Sequence, residues 1–114
     1  MSGEKACLRV LLALDTPVAA TDGGGGRVAG WRRVGALWAE LRPVSAWERE
    51  LGGARLAAVS HRVTVRAAPL GAADRPTAGQ RFTDGARSLL IRAVTEADLR
   101  GQRLTCWVEE ETPA

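Results

Sequence analysis

Three stretches of this chain alternate with a period of two, and two more segments flank an Asp-Gly pair. Leu8, Val10, Leu12 and Leu14 alternate with Arg9, Leu11 and Ala13, until Asp15-Thr16-Pro17 is expected to stop the run. His61, Val63, Val65 and Ala67 alternate with Arg62, Thr64 and Arg66, giving a half-buried strand with a basic outer face. Gln80–Thr83 and Ala86–Val94 flank Asp84-Gly85, whose residue types suit the positive φ angles of a tight type I′ hairpin turn. Leu104, Cys106 and Val108 alternate with Thr105 and Trp107 in a last strand. A period of two sends successive side chains to opposite faces of a strand, and no strand–helix alternation intervenes. The expected fold is therefore all-β or β-rich: a small antiparallel barrel or sandwich of five to seven strands, with one short helix and a long Gly-rich loop. At 114 residues the chain has room for a single domain, 1–114, around a single core.

The segment Trp31–Arg42 fits two periods. Trp31, Val34, Trp38 and Leu41 have helical spacing, while Val34, Ala36 and Trp38 against Gly35, Leu37, Ala39 and Leu41 fit a strand buried on both faces. Pro43 ends the element in either case. Ser45-Ala46-Trp47-Glu48 is a capping box that starts a short helix with Trp47, Leu51, Ala54 and Ala58 on one face. Gly52-Gly53 weakens that helix by about 1 kcal/mol per glycine, so the segment is expected to change shape easily. Residues 15–30, with four consecutive glycines at 23–26, read as a flexible loop, and the acidic end at 109–114 as a frayed tail.

The chemistry-bearing residues are sparse. Cys7 and Cys106 are the only cysteines and His61 the only histidine, too few for a disulfide scaffold or an ordinary four-ligand zinc site. Cys106 and His61 each fall in phase with the core face of a strand, which favours an inert thiol and a satisfied, partly buried imidazole. No Gly-Lys-Ser/Thr follows the glycine run, and its spacing fails the dinucleotide fingerprint. Glu48 and Glu50 stand two apart, which on a helix turns them away from each other. No catalytic, cofactor-binding or metal site is expected. A net charge of +3 carried by fifteen arginines and one lysine would suit nucleic acid, yet acids interleave with the arginines and form no basic tail. The apolar run Leu8–Leu14 is interrupted by Arg9 and is far short of a membrane span, and Glu4 and Lys5 make a poor signal-peptide start, so the chain is expected to stay in the cytoplasm.

One ordered run unites these pieces. Trp31-Arg32-Arg33-Val34, Leu37-Trp38-Ala39-Glu40-Leu41, Ser45-Ala46-Trp47-Glu48 and His61-Arg62-Val63-Thr64-Val65-Arg66 follow one another, with Leu8-Arg9-Val10 and Asp22-Gly23 before them and Arg75 and Leu89-Leu90-Ile91 after. In order and spacing this resembles the phage head-tail joining proteins, also called head-closure or stopper proteins, over about residues 8 to 108. The chain departs from that pattern in its glycine-rich loop and at Ala67-Ala68, where an aromatic is usual.

The resemblance implies a structural neck component of a tailed phage or gene transfer agent, assembled in the bacterial cytoplasm and housed in the particle. It implies a homo-oligomeric ring, hexameric by expectation, between a portal-bound adaptor protein and a tail terminator or tail-proximal ring protein. Such a ring would close the head, support the tail and gate the passage of DNA. Asp22, Arg27, Arg32 and Arg33 are the candidates for docking on the adaptor, and Trp47, Glu48 and Arg49 for the channel or gating segment. Trp31 and Trp38 are expected to be mostly structural, and Trp47 to be an interface residue. The alternative is a small β-barrel that binds nucleic acid, using tryptophans as stacking platforms among arginines. An enzyme ranks below both.

Overall fold

The computed structural model describes residues 10–20, 27–44, 60–68 and 72–111. They form six strands: β1 (Val10–Ala20), β2 (Arg27–Pro43), β3 (His61–Arg66), β4 (Arg81–Thr83), β5 (Ser88–Glu96) and β6 (Arg103–Glu111). Every pairing is antiparallel, and the order β1-β2-β3-β6-β5-β4 closes on itself through β4 and β1. Closure gives the barrel wall a partner on both sides of each strand and removes its edges.

The alternation legible in the sequence decides what fills the barrel. Leu12 and Leu14 of β1, Val63 and Val65 of β3, Phe82 of β4, Leu89 and Ile91 of β5, and Leu104, Cys106 and Val108 of β6 all point inward and are fully buried. Each large apolar side chain so buried contributes about 1.5–3 kcal/mol. A barrel of this strand number has an interior that side chains alone can fill. It is a packed core rather than a pore.

β3 spans the residues its alternation suggested, and β4 pairs with β5 as a hairpin around Asp84-Gly85. The turn differs from the expected type. Only Gly85 has positive φ (+88°), whereas type I′ needs two such residues. Asp84 instead closes a wider loop, its N–H donating to the Arg87 carbonyl (3.3 Å) and its Oδ1 accepting the Arg87 N–H (3.1 Å).

Three boundaries fall elsewhere than expected. Asp15-Thr16-Pro17 does not stop β1, because β2 continues alongside as a partner and beyond Asp15 no third strand asks for the N–H that proline lacks. The loop expected over 15–30 therefore shrinks: Asp15–Ala20 and Arg27–Gly30 are paired strand, and 21–26 lie outside the described residues. The acidic end is no frayed tail up to Glu111, since Glu109, Glu110 and Glu111 pair with Leu90, Leu89 and Ser88. Arg87 and Arg92 offset the charge there, at 3.0 Å from Glu110 and 3.7 Å from Glu109. The helix expected after Ser45 lies outside the described residues, which contain no helix.

β2 is a strand, but not one buried on both faces. Ala39 is fully buried and Leu37 packs against the same core, so Trp38 between them points outward and is 56% exposed. The barrel has one interior, and the outer face of this stretch is open.

Candidate functional site

Strand lengths give the molecule two unlike ends. β2 has 17 residues, about 55 Å of extended chain, against 6 in β3, about 20 Å. β2 pairs with β3 only from Ala39 to Pro43, and β1 pairs with β4 only from Ala13 to Asp15. Beyond these, Thr16–Ala20 and Arg27–Arg32 pair with each other alone. This two-stranded arm projects about 17 Å past the wall. Register shifts between Leu14 and Asp15 and between Val18 and Ala19 bend it, as bulges do. A ribbon of two strands has no core of its own and is marginal in water unless something packs against it.

The arm is fixed at its root. Arg33, Asp15 and Arg81 stand opposite one another on β2, β1 and β4, so their side chains form one row on the outer face. Asp15 is only 3% exposed and accepts from Arg33 Nε (2.8 Å) at Oδ1 and from Arg81 Nε (3.1 Å) at Oδ2. Burial by itself raises the Asp15 pKa, but the two guanidinium groups outweigh it and hold the carboxyl below its usual range. Arg81 also lies over the Trp31 ring, 4.4 Å from its centroid.

At the opposite end, the chain leaves and re-enters the wall at one point. Val44 and Ser60 flank residues 45–59 and are tied together by Val44 N–H to the Ser60 carbonyl (3.3 Å), while Ser60 N–H bonds to the Val108 carbonyl (2.8 Å). A polar cluster braces this root. Ser60 Oγ accepts the Glu110 N–H (2.8 Å) and lies 3.0 Å from His61 Nδ1. Arg87 donates twice to Glu110, from Nε and Nη2 at 3.0 Å each, and its Nη2 is 3.3 Å from His61 Nε2. Because a guanidinium only donates, Nε2 is the accepting nitrogen and Nδ1 carries the proton toward Ser60. Burial and then the Arg87 charge lower the His61 pKa, against a smaller opposing effect of Glu110. The ring is thus a partly buried member of this polar cluster, with its basicity lowered. Cys106 lies in the core, its thiol pushed up to about 12 by burial.

On the outer wall, Leu11 and Trp38 face each other across β1 and β2, and both are at least half exposed. Among the described residues Ala36, Leu37, Trp38 and Arg66 line an open hollow of about 540 Å³ beside this pair. Sequence reasoning took Trp38 as mostly structural and missed this patch. Parity along β2 was the available signal, once Ala39 is known to point inward.

Of the docking candidates, Arg33 is spent on Asp15, and Arg32 is exposed on the arm. Arg27 lies in β2 at the far end of the arm, and Asp22 lies outside the described residues. Trp47, Glu48 and Arg49 also lie outside them. The aromatic platform that nucleic-acid binding would use is thin. Trp31 is covered by Arg81 and Trp107 is buried, which leaves Trp38 as the exposed tryptophan among the described residues. Arg33, Arg81, Arg87 and Arg92 are engaged with carboxylates.

The barrel thus has an arm at one end and a braced chain exit at the other. A model of the phage head completion proteins matches residues 6–111. This chain belongs to that family. Among solved structures it is similar to a chain in the virion of a native gene transfer agent particle, at 35% identity and a TM-score of 0.72, over 96% of this chain and 100% of that one. A comparison with curated proteins gives no match. Head completion proteins are structural virion proteins, not an enzyme class, and the chain is accordingly a structural component of a phage-like particle.

Proposed function

We propose that this head completion protein forms a homo-oligomeric ring in the particle neck, between a portal-bound adaptor and the tail-proximal ring, closing the filled head and supporting the tail. The observation that carries this reading is the full-length likeness to a chain of an assembled gene transfer agent virion, on a barrel whose β1–β2 arm pairs with no third strand among the described residues. An arm that is marginal alone gains stability when a neighbouring ring packs against it, which makes docking favourable. Arg32, Arg27 and Asp22 are the docking residues of this arm and its tip, and Arg33 acts by holding the arm's root to Asp15. The segment carrying Trp47, Glu48 and Arg49 is the gating element, entered at Val44 and left at Ser60. The arm and these two residues lie at opposite ends of the barrel, so one end can hold a partner while the other responds to DNA.

Electron microscopy of particles made without this chain tests the proposal. DNA-leaking heads and free tails are the expected result, and intact tailed particles would refute it. Deleting Gly23–Gly26 is expected to leave a folded barrel that no longer supports tailed particles, and normal tailed, infectious or transducing particles would refute the docking role of the arm.

A further inference from the structure

We propose that His61 and Arg87 form an acid-released latch at the chain exit, in which proton uptake at His61 Nε2 parts the β4–β5 loop from β3 and loosens the hold on Ser60. The latch is built where three parts of the chain meet, at the end of the barrel away from the arm. His61 begins β3, Glu110 lies near the end of β6 opposite Leu89, and Arg87 stands in the loop between β4 and β5. Arg87 Nη2 is shared between two partners, 3.0 Å from Glu110 Oε1 and 3.3 Å from His61 Nε2. The other side of the imidazole reaches Ser60 Oγ at 3.0 Å, and that hydroxyl also accepts the Glu110 N–H (2.8 Å). One ring thus links the hairpin loop to the residue at which the chain re-enters the wall, and Ser60 in turn holds Val44 through its carbonyl (3.3 Å).

The contact with Arg87 needs an unprotonated Nε2, because a guanidinium has only N–H donors and the ring nitrogen must accept. A proton taken up from solvent occupies that lone pair. Two donors and two positive charges then face each other at 3.3 Å. Glu110 supplies the nearby carboxylate, its Oε1 4.0 Å from His61 Nδ1. The charged ring gains a charge-assisted bond by turning its Nδ1–H from Ser60 Oγ to that oxygen, and so competes for the acceptor that Arg87 Nη2 uses. Both ends of the link open together. The other charged groups around the ring leave this balance in place. Pro43, opposite His61 on β2, carries no charge, and Arg42 is held by Glu40 at 3.4 Å. On β6, Glu109 is held by Arg92 at 3.7 Å. Arg62 alternates with the buried Val63 and so lies on the outer face, and Asp84 in the hairpin loop reinforces the Arg87 charge. Burial and the Arg87 charge depress the basicity of the ring, so the latch is shut at neutral pH and opens as pH falls below 6.5. Its bearing on gating rests on the function proposed above, whereas the latch itself is a property of the isolated chain.

The test follows the full-length chain by NMR from about pH 7 to about pH 5, above the range in which Glu110 itself titrates, since Arg87 holds that carboxyl below 4.5. In the wild type, Arg87 Nε–H and the Glu110 backbone N–H are expected to shift with the same midpoint as His61 Hε1, while the Val65 and Leu104 amides stay in place. Protection of the Val44 and Ser60 amides against hydrogen exchange, corrected for the intrinsic effect of pH, is expected to fall about tenfold over the same range. In His61→Gln, which keeps a polar side chain that does not titrate, neither change is expected. In Arg87→Gln, the His61 midpoint is expected to move upward. An Arg87 Nε–H that ignores the His61 titration, an unmoved midpoint in Arg87→Gln, or full protection of Val44 and Ser60 at about pH 5 overturns the latch. The wild-type titration needs no substitution, and circular dichroism checks that both variants keep the barrel. Failure of the latch leaves the ring standing, and tailed particles made without this chain would overturn the ring while leaving the titration as it is.

Discussion

Replacing Asp15 with alanine probes the row that roots the arm, and its effect can be worked from the geometry. The carboxylate is buried and accepts one bond from Arg81, whose side chain is 26% exposed, and one from Arg33, whose side chain is 64% exposed. A hydrogen bond to a charged group contributes about 1.5–3 kcal/mol, which applies to the Arg81 bond. Solvent screening reduces the Arg33 bond to about 0.5 kcal/mol. Alanine avoids the desolvation of a carboxylate, which offsets part of the sum and leaves a net loss of about 2 kcal/mol. For a domain of this size that is a fall in Tm of about 8 °C. Urea unfolding at neutral pH, with m unchanged, is the assay. The pH dependence supplies a second check. The folded-state pKa of Asp15 lies below its unfolded value near 3.8, so the stabilisation is fully present above that value and disappears as pH falls through the folded pKa. The gap between wild type and Asp15→Ala should therefore close in acid. A gap below about 0.5 kcal/mol at neutral pH, or one that persists undiminished at about pH 2, would refute the reasoning.

Three further outcomes are expected. His61, the only histidine, gives a single Hε1 resonance by NMR, and it should titrate below 6.5. Since the folded pKa is depressed, the protein should lose stability as pH falls through 6.5, more steeply than His61→Gln does in urea melts; a midpoint above 6.5 would contradict the Arg87 contact. In a Cys7→Ser background, Cys106 should resist thiol reagents at about pH 8 until the barrel unfolds, and rapid native-state labelling would show that the core is open. Gly85→Ala should cost about 1 kcal/mol by thermal melting because of φ +88° alone, since no atom lies within 4 Å of the added Cβ, and a neutral result would mean that the loop relaxes to another turn.

The local pattern carried much of the fold. Val63 and Val65, and Leu104 to Val108, each write their strand and its buried face into a period of two, because alternation is a property of the backbone itself, and Asp84-Gly85 marks the β4–β5 hairpin. The same rule misplaced the boundaries at Asp15-Thr16-Pro17 and Glu109. A proline or a run of carboxylates looks like a strand end until a partner strand and two arginines are known to stand beside it. Among the docking candidates, Arg32 and Arg33 were named together from the sequence, which did not show that Arg33 pairs with Asp15. Arg33 is drawn to Asp15 by cross-strand register, a relation 18 positions apart.

By itself, then, the sequence determined most of the strands, the core position of Cys106, the partly buried, hydrogen-bonded setting of His61, and the family, all of which depend on order and spacing along the chain. Tertiary structure alone decided that the sheet closes, that β1 and β2 outrun their neighbours to form an arm, and that Trp38 faces solvent. Those features follow from unequal strand lengths and from which residues meet across the sheet, and pairing between distant segments is set by the whole closed circuit rather than by any one stretch of it.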